Sequence, residues 1–323
     1  MFAVYADNPN REDPLSALHI GEQPEPAVHD GWVRIKISHA SLNRHDIFTL
    51  QGVTHHAEPL KFPLILGNDG AGYLDDGTAV AIYPVVGSDD WRGNETLDPH
   101  WHIFSELLPG TFADYIAVPK RNALPLPPGL SLEVASLLGT AWLTAYRSLF
   151  VRAGILPGQR LLVQGARGGM ATALIQLGKA AGAEVWVTCR DEEGREFAES
   201  LGAARTFHSG EQLPGKADIV VDNVGRATWE HSLASVVRNG TIVVVGGTTG
   251  FEVTLPLLKV ISHQFSILGS VMGTREDMAS LINFIGTAGI TPSVGAVLPM
   301  TEADEAFRQM WTGEMRGKIV LTR

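Results

Sequence analysis

The stretch Leu161-Leu-Val-Gln-Gly-Ala-Arg-Gly-Gly-Met-Ala171 decides the fold, because an apolar strand runs directly into a glycine-rich turn that opens a helix. Within it, Ala166, Gly168 and Ala171 follow the spacing G-x-G-x-x-G/A, with alanine in the first and last places. A helix N-terminus presents unpaired backbone N–H groups and the positive end of a dipole, which suit a pyrophosphate. The stretch therefore predicts a dinucleotide site; a tight turn that uses glycine only for its backbone freedom is the alternative. The residues predicted to line the site are Ala166, Gly168, Gly169 and Met170.

Strand and helix patterns alternate through this part of the chain. The predicted elements are strands Arg160–Gln164, Glu184–Cys189, Ile219–Asp222, Gly240–Val245 and Phe265–Leu268 and helices Gly169–Ala181, Glu192–Leu201 and Ala227–Val237. Short, nearly continuous apolar strands joined by helices are what a parallel sheet covered on both faces requires. We therefore predict a doubly wound α/β unit around the glycine-rich turn.

The sequence before this unit has a different character. From the N-terminus to about residue 127 it is rich in Gly, Pro, Asp and His. Its short strand candidates are Trp32–Ile37, Val80–Tyr83 and Tyr115–Val118. The run Leu124-Pro-Leu-Pro-Pro-Gly-Leu130 then marks a domain boundary. Near the C-terminus a helix at Arg275–Thr287 and a strand at Lys318–Leu321 follow, and periodicity leaves open which domain they join.

Composition limits the classes of protein that the chain can belong to. Its 323 residues, 45% hydrophobic and 19% charged, are ordinary for a folded protein with two cores. The formal charge of -10, without a long Lys/Arg run, argues against nucleic acid as a partner. Cys189 is the only cysteine, which excludes an intrachain disulfide and suits a reducing compartment. Because neither a signal peptide nor an apolar run of roughly 20 residues is present, we expect a soluble, cytoplasmic protein without a membrane partner.

The end of the second predicted strand bears on cofactor choice. NAD sites usually place an acidic side chain there to bind the ribose hydroxyls. This strand ends Thr188-Cys189-Arg190 instead, so no carboxylate repels a 2′-phosphate and an arginine is at hand to bind it. The pattern favours NADPH; a solvated Arg190, or one paired with Asp191 or Glu192, is the alternative.

Six further stretches match one known family. They are Ser41-Leu-Asn-Arg-His-Asp46, Gly67-Asn-Asp-Gly-Ala-Gly72, Gly139-Thr-Ala-Trp-Leu-Thr-Ala-Tyr146, Gln176-Leu-Gly-Lys179, Asp222-Asn-Val-Gly225 and Gly317-Lys-Ile-Val320. With them, nearly the whole chain resembles the medium-chain dehydrogenase/reductase superfamily, particularly its zinc-lacking quinone oxidoreductase-like branch. The resemblance implies an α/β protein with a GroES-like, β-rich catalytic domain at residues 1–127 and 272–323. A Rossmann domain with a doubly wound parallel sheet would be inserted at residues 128–271, and edge strands of that domain would pair two copies into a homodimer.

Departures from the family pattern bear on metal chemistry. The resemblance places Asn43, Asn68 and Asp69 where the zinc alcohol dehydrogenases have a cysteine and a His-Glu pair. Asparagine side chains are poor ligands for a zinc that must polarise an alkoxide, and no second cysteine replaces the thiolate. We therefore expect no catalytic metal. His100 and His102 leave one other metal site open, against the commoner solvated loop.

The same resemblance gives roles to individual residues. It places Asn43 and Thr140 beside the nicotinamide, where they would position cofactor and substrate; a turn residue and a helix cap are the alternatives. Further expected cofactor contacts are Asn223, Gly246, Gly247 and Thr248, which lie at carboxyl ends of strands, and His208, Ser270, Val271 and Lys318, which the resemblance adds.

No residue spacing in the sequence identifies a proton donor. His45, Asp46 and Tyr83 are candidates, and each has a structural alternative, such as Asp46 capping a helix that begins near Ile47. Protonation by water is therefore preferred, with Asn43, Asp46, Tyr83 and Thr140 kept as the catalytic candidates.

Together these features predict an NADPH-dependent, zinc-independent oxidoreductase. It would transfer a hydride to a small carbonyl substrate, a quinone or an α,β-unsaturated carbonyl compound, and stabilise the charge that builds on the substrate oxygen. Two alternatives stay open. One is a zinc-dependent alcohol dehydrogenase with atypical ligands; the other is a non-catalytic NADPH-binding redox sensor, because binding requires only the turn and Arg190.

Overall fold

The computed structural model describes residues 1–54 and 59–323. These residues form two compact units, Met1–Leu143 with Gly273–Arg323, and Thr144–Met272. The first boundary thus follows residue 143, whereas the sequence placed it at residue 127. Residues 128–143 belong with the first unit because Gly139 lies against Asp69, where a Cβ would come within 2.7 Å of Oδ1.

Eighteen strands are present in the described part of the chain. They are β1 (Phe2–Ala6), β2 (Leu18–Glu22), β3 (Trp32–Ser41), β4 (Leu64–Ile65), β5 (Asp69–Leu74), β6 (Ala79–Ile82), β7 (Val85–Val86), β8 (His102–Ile103), β9 (Tyr115–Pro119), β10 (Ala123–Pro125), β11 (Arg160–Gln164), β12 (Glu184–Cys189), β13 (Arg205–His208), β14 (Ala217–Asp222), β15 (Val236–Val244), β16 (Ser266–Gly269), β17 (Val294–Pro299) and β18 (Lys318–Thr322).

The helices are of three kinds. The α-helices are α1 (Arg44–Leu50), α2 (Leu132–Ala135), α3 (Leu143–Tyr146), α4 (Gly169–Ala180), α5 (Glu192–Leu201), α6 (Trp229–Ser235), α7 (Leu257–His263), α8 (Arg275–Ala288) and α9 (Ala303–Thr312). Short 3₁₀ turns are at Pro14–Ala17, Glu95–Leu97, Lys120–Asn122 and Met300–Glu302, and π-helical turns flank α3 at Leu138–Trp142 and Arg147–Arg152.

The first unit is built on a seven-stranded sheet in the order β10-β6-β5-β3-β18-β17, with β9 also paired to β3. The long strand β3 is antiparallel to β5, β9 and β18, whereas β17 and β18 are parallel. Two smaller sheets, β2-β1-β4 and β7-β8, belong to the same unit. Because β18 pairs with β3, the C-terminal segment of the chain belongs to the first unit.

A single large apolar cluster supports this sheet. Ile35 and Ile37 lie on the same face of β3, and Ile82 of β6 belongs to the same cluster. The ring of Phe307 on α9 meets Phe112 edge to face at 6.3 Å. Full burial of each such side chain is worth about 1.5–3 kcal/mol, so the C-terminal helix contributes to the stability of the N-terminal strands.

The second unit contains a six-stranded parallel sheet in the order β13-β12-β11-β14-β15-β16. The chain moves outward from β11 to β13, then crosses to β14 and continues the other way. Ligands of such sheets bind at the carboxyl ends of the strands beside this reversal. Leu161, Leu162 and Val163 of β11 are fully buried, as a strand covered on both faces requires. The predicted doubly wound parallel sheet is confirmed.

One predicted helix is shorter than expected. The sequence suggested a helix over Ala227–Val237, but α6 ends at Ser235 and β15 begins at Val236. Val236 is buried and pairs with Ala217, so the β-branched pair Val236-Val237 starts the strand instead of ending the helix.

Among the described residues, no helix combines the length and the apolar character needed to cross a membrane.

Candidate functional site

The glycine-rich turn joins β11 to α4. Gly165 has φ of 93°, in the left-handed region that favours glycine, so this residue makes the turn. Gly168 is the N-cap of α4, and a Cβ added there would meet nothing within 4 Å. Within α4, Gly178 lets the helix approach β11, because a Cβ would lie 2.7 Å from Leu161 Cδ2. The turn therefore leaves the first N–H groups of α4 accessible beside open space.

A buried hydrogen-bond network lies at the strand ends beside this turn. Thr188 Oγ1 donates to Gln164 Oε1 at 2.7 Å, and Gln164 Nε2 donates to Ser232 Oγ at 3.0 Å. Ser232 Oγ donates to Asp222 Oδ2 at 2.6 Å, and Thr228 Oγ1 also donates to Asp222. The network ties the ends of β11, β12 and β14 to α6. This network was not predicted, although the sequence contains a signal for it: each of three neighbouring parallel strands has a polar residue near its carboxyl end.

Two predicted cofactor contacts carry buried polar atoms that have no hydrogen-bond partner among the described residues. These atoms are Asn223 Oδ1, after β14, and Ser270 Oγ, after β16. Both lie at carboxyl ends of strands, where a ligand is expected. Val271 beside them is 46% exposed, so its side chain is accessible to a ligand. Unpaired polar atoms of this kind fit a group that is itself polar, such as the ribose or carboxamide of a nicotinamide nucleotide.

The other predicted cofactor contacts have different surroundings. Gly246 lies against Asn223, where a Cβ would come within 3.0 Å of the carbonyl oxygen, and Gly247 lies against the ring of Phe251. Thr248 is exposed. His208 ends β13, and its Nδ1 lies 2.8 Å from Arg195 Nη1. The structure thus places His208 in a contact with Arg195, which the sequence did not predict.

The end of β12 carries the charged residues that bear on cofactor choice. Arg190 is exposed and has no ion-pair partner among the described residues. Asp191 is not its partner, because Asp191 Oδ1 accepts from Gly194 N at 2.8 Å and from Arg167 Nη2 at 2.5 Å. The Arg190 guanidinium is therefore available to an anionic ligand.

In the first unit, Asp69 is the centre of a buried polar cluster. Lys318 Nζ donates to Asp69 Oδ2 at 3.2 Å, to Asn43 Oδ1 at 2.6 Å and to the Leu42 carbonyl at 2.8 Å. Asn43 Nδ2 donates to Asp69 Oδ2 at 2.8 Å, and Thr140 Oγ1 donates to Asp69 Oδ1 at 2.6 Å. An ammonium has three donors, and here all three have an acceptor. Burial lowers the pKa of Lys318, and the neighbouring Asp69 opposes that shift.

Two expected cofactor contacts belong to this cluster. Lys318 is 1% exposed and Asn43 is 6% exposed, and their side chains are bonded to each other and to Asp69. Both side chains thus have partners within the first unit, and their contact with a cofactor stays a prediction. Thr140 is the more accessible member of the cluster, and its hydroxyl proton is directed to Asp69. The family resemblance placed Lys318 over the cofactor, and its bonds to Asn43 and Asp69, 275 and 249 residues away along the chain, were not predicted.

Asp46 has the capping role that the sequence offered as the alternative. Its Oδ2 accepts from Asn43 N at 2.7 Å and its Oδ1 accepts from Gly67 N at 3.0 Å. The helix α1 begins at Arg44, earlier than the predicted start near Ile47. Because both oxygens are bonded to backbone amides and the side chain is fully buried, Asp46 is not placed to donate a proton to a ligand.

The structure also removes Tyr83 from the proton donors. Its side chain is fully buried, and its hydroxyl donates to the carbonyl of Gly273 at 2.8 Å. Burial raises the pKa of this phenol well above its usual range. Tyr83 therefore joins β6 to the start of the C-terminal segment, a structural role.

His45 makes a pair that the sequence did not predict. Its Nε2 lies 3.0 Å from Oε1 of Glu106, which is buried, and Glu106 Oε2 accepts from Ile103 N at 3.0 Å. Its Nδ1 lies 3.5 Å from Thr49 Oγ1, one turn along α1. Ser105, next to Glu106, has φ of 66°, an uncommon value outside glycine that marks a tight local turn. Both ring nitrogens of His45 thus face groups of its own unit.

The residues around Asp69 do not fit a zinc ion. Asn68 Nδ2 donates to the Phe104 carbonyl at 2.6 Å, and Lys318 places a positive charge beside Asp69 and Asn43. Zinc binds thiolates, imidazoles and carboxylates, and an adjacent ammonium would repel it. No group of three or more His, Cys, Asp or Glu side chains within residues 1–54 and 59–323 is arranged to hold a metal. His100 and His102 therefore form no such group with the described residues.

Comparison with known proteins places the chain in a family. Residues 29–128 match the alcohol dehydrogenase GroES-like domain, and residues 169–287 match the zinc-binding dehydrogenase domain. An alcohol dehydrogenase of Geobacillus stearothermophilus is 30% identical over 94% of this chain and 95% of its own. An acryloyl-coenzyme A reductase of Sulfurisphaera tokodaii is 26% identical over 95% of this chain and 97% of its own. The crystal structure of an NAD-dependent alcohol dehydrogenase, 30% identical, superposes with a TM-score of 0.91 and covers 100% of both chains.

The chain therefore belongs to the medium-chain dehydrogenase/reductase superfamily, and the predicted pairing of a GroES-like domain with a Rossmann domain is confirmed. It is an oxidoreductase of the alcohol dehydrogenase-like type.

Asp46 should make stability depend on pH. Burial raises its pKa to about 6, so the folded protein binds this proton more tightly than the unfolded chain. The resulting stabilisation is fully present below the unfolded pKa and is lost as the pH rises through 6, by up to about 3 kcal/mol. A ¹³C titration should give a carboxyl midpoint near pH 6 for Asp46. Exposed Asp76, whose pKa is lowered by a hydrogen bond from the Thr78 amide, is the control. An Asp46 midpoint at or below that of Asp76 would contradict the burial argument.

Proposed function

We propose that this protein is an NADPH-dependent, zinc-independent oxidoreductase that reduces quinones or α,β-unsaturated carbonyl compounds in the cytoplasm. The observation that carries the proposal is the Lys318 ammonium beside Asp69 and Asn43, at the positions where the zinc alcohol dehydrogenases have metal ligands. The cytoplasmic location follows from a chain with one cysteine, which suits a reducing compartment.

The zinc-independent part of the proposal rests on charge. A zinc alcohol dehydrogenase uses its metal to polarise the alcohol or carbonyl oxygen. Here the corresponding volume holds the ion pair of Asp69 and Lys318, with Asn43 bonded to both. The cluster is thus already neutral and its donors and acceptors are paired, so it offers a divalent cation neither charge nor open ligands.

The NADPH part of the proposal rests on the second unit. The N-terminus of α4 and the open space at Gly168 would hold the pyrophosphate, and Asn223 and Ser270 would meet the nicotinamide half. Arg190, exposed and without an ion pair, would bind the 2′-phosphate. When bound, the cofactor supplies the hydride, and the protein supplies binding, orientation and exclusion of water.

The substrate class follows from what the site can stabilise. Without a metal to polarise an alcohol, the reaction that fits is hydride addition to a carbon already made electron-poor by conjugation. One relative has a name that describes such a reaction. It is the acryloyl-coenzyme A reductase of Sulfurisphaera tokodaii, which is similar over 95% of this chain. Because Asp46, Tyr83 and His45 are all bonded within the first unit, we assign protonation of the enolate to water.

A product analysis tests this function directly. Purified protein should oxidise NADPH in the presence of a small enone and reduce its carbon–carbon double bond, leaving the carbonyl intact. With deuteride on the cofactor and reaction in ordinary water, mass spectrometry should find one deuterium at the β carbon. Elemental analysis should find zinc far below one per chain, and chelators should leave the rate unchanged.

Each alternative function has its own outcome in the same assay. Stoichiometric zinc, with alcohol oxidation that chelators abolish, would establish an alcohol dehydrogenase with atypical ligands. Tight NADPH binding without turnover of any quinone, enone or aldehyde would indicate a non-catalytic sensor. Either result sinks the proposed reaction.

Replacing Arg190 should remove the cofactor preference. We expect Arg190→Ala to weaken NADPH binding by about tenfold or more, roughly 1.4 kcal/mol, because a charge-assisted bond to phosphate is lost. NADH binding should change by less than about twofold, since its ribose has no phosphate. Reduced-nicotinamide fluorescence measures both. Arg238→Ala, an exposed arginine in β15, is the control, and an equal loss there would mean that only net charge matters.

We also propose a homodimer formed by the edge strand of the second unit. β16 lies at the end of the parallel sheet, and the part of the chain that the structure describes adds no further strand to it. The segment of the chain that leads into β16 carries four exposed apolar side chains, Phe251, Leu257, Leu258 and Ile261, between 67% and 80% exposed. A second copy related by a two-fold axis would pair edge with edge and cover both apolar patches at once.

Charges placed in the apolar patch should separate the copies. We expect the double variant Leu258→Asp/Ile261→Asp to sediment as a monomer, because each copy would bring two carboxylates into the interface. Leu97→Asp is the matched control, since Leu97 is 69% exposed and belongs to the first unit, whereas β16 belongs to the second. Sedimentation velocity should find the wild type and Leu97→Asp dimeric. A monomeric wild type would refute the proposed interface.

A further inference from the structure

Arg167 belongs to the glycine-rich turn, but its side chain reaches the connection between β12 and α5. Its Nη2 lies 2.5 Å from Asp191 Oδ1 and 2.9 Å from Glu193 Oε2. Arg167 stands at the variable position between Ala166 and Gly168, where the motif does not require a small residue. The Arg167 guanidinium therefore reaches the end of β12, where the dinucleotide fold binds the adenosine ribose.

The two carboxylates that hold Arg167 differ in how firmly they are fixed. Asp191 is the N-cap of α5, and its Oδ1 also accepts from Gly194 N at 2.8 Å. The Glu193 side chain is 56% exposed, so moving it into water costs little. Asp191 is therefore an anchor for Arg167, and Glu193 is a partner that another anion can replace.

Gly194 shows how closely Arg167 lies over the first turn of α5. A Cβ at Gly194 would come within 3.1 Å of Arg167 Nε and within 2.3 Å of Cys189 Sγ. The Nε atom is buried and has no hydrogen-bond partner among the described residues. The close approach to Gly194 thus holds the guanidinium in place. One of its N–H donors is unused, as expected of a group that binds a ligand.

Charge decides which ligand can take this place. Arg167 and Arg190 together carry two positive charges, and Asp191 with Glu193 carries two negative charges, so the group is neutral. A phosphate monoester has close to two negative charges at neutral pH and three acceptor oxygens. It can compete with Glu193 for the guanidinium, whereas the neutral hydroxyl of NADH cannot.

We propose that Arg167 exchanges Glu193 for the 2′-phosphate of the cofactor, with Asp191 keeping the guanidinium aimed. This inference rests on the proposed use of NADPH and adds the residue that sets its affinity. Glu193 is a built-in competitor: it satisfies Arg167 when no phosphate is bound and weakens phosphate binding by the free energy of the ion pair that must break. No bond other than hydrogen bonds changes in the exchange.

The test uses the full-length protein and two small probes, adenosine 2′-monophosphate and adenosine 5′-monophosphate, measured by calorimetry. NADPH and NADH are then titrated by fluorescence. The variants are Arg167→Met, Glu193→Gln and the double variant. Glu192→Gln is the matched control, because it removes the same charge from the same helix turn, but its side chain pairs with Arg195.

The exchange predicts a specific pattern of affinities. Arg167→Met should weaken the 2′-phosphate probe and NADPH by about tenfold, and leave the 5′-phosphate probe and NADH within about twofold. Glu193→Gln should tighten the 2′-phosphate probe and NADPH by about three- to fivefold, and Glu192→Gln by less than about twofold. In the Arg167→Met background, Glu193→Gln should have no further effect, because the ion pair is already gone.

Other results would overturn the exchange. Equal gains from Glu193→Gln and Glu192→Gln would show that only net charge acts, and a gain that persists without Arg167 would show that Glu193 repels the phosphate directly. Failure of the proposed function is separate. A protein whose 2′-phosphate probe binding follows this pattern without any hydride transfer has the exchange but not the activity. Turnover with NADPH that is indifferent to Arg167→Met has the activity but not the exchange.

Discussion

The ion pair between Asp69 and Lys318 is the interaction on which the first unit depends. It joins β5 to the last strand of the chain, and through Asn43 and Thr140 it also fixes the start of α1 and the π-helical turn before α3. Two buried charges are costly to desolvate, and removing one partner of such a pair costs about 3–5 kcal/mol. The cluster ties four chain segments together, because each of them supplies one of its hydrogen-bonded side chains.

The second unit joins its strand ends with uncharged polar side chains and one buried carboxylate, that of Asp222. Its strand ends are joined by a chain of hydrogen bonds from Thr188 through Gln164 and Ser232 to Asp222. Each donor in this chain has an acceptor, so the polar groups beside the glycine-rich turn are fixed before any ligand arrives. Groups left unpaired nearby, such as Asn223 Oδ1 and Ser270 Oγ, are then the ones a cofactor can use.

Sequence patterns predicted the second unit well because its signals are local. The strands β11 and β12 and the helix α5 have the bounds that the alternation of apolar strands and helices indicated. The family and the fold class were also predictable, since the motifs that carry them are short and spaced along the chain. Bounds were less certain where propensity and pairing compete, as at Val236.

The candidate site of the first unit was not predictable in the same way. Lys318 lies 249 residues from Asp69 and 275 residues from Asn43 along the chain, and Tyr83 bonds to a carbonyl 190 residues away. No periodicity or spacing rule links residues so distant. The sequence therefore predicted ligand contacts for side chains without predicting their hydrogen bonds to distant parts of the chain. The side chain of Arg167 was missed for a different reason, because a turn motif describes backbone, not where a long side chain goes.

The discontinuous first unit has a consequence for the order in which the protein forms during synthesis. Residues 144–272 are contiguous, so their sheet can close as soon as they leave the ribosome. Asp69, by contrast, is synthesised 249 residues before Lys318. Until that last strand arrives, the N-terminal strands hold a buried carboxylate without its counter-ion and a sheet edge without its neighbour. The second unit can therefore be complete on the nascent chain while the first unit still lacks its C-terminal segment.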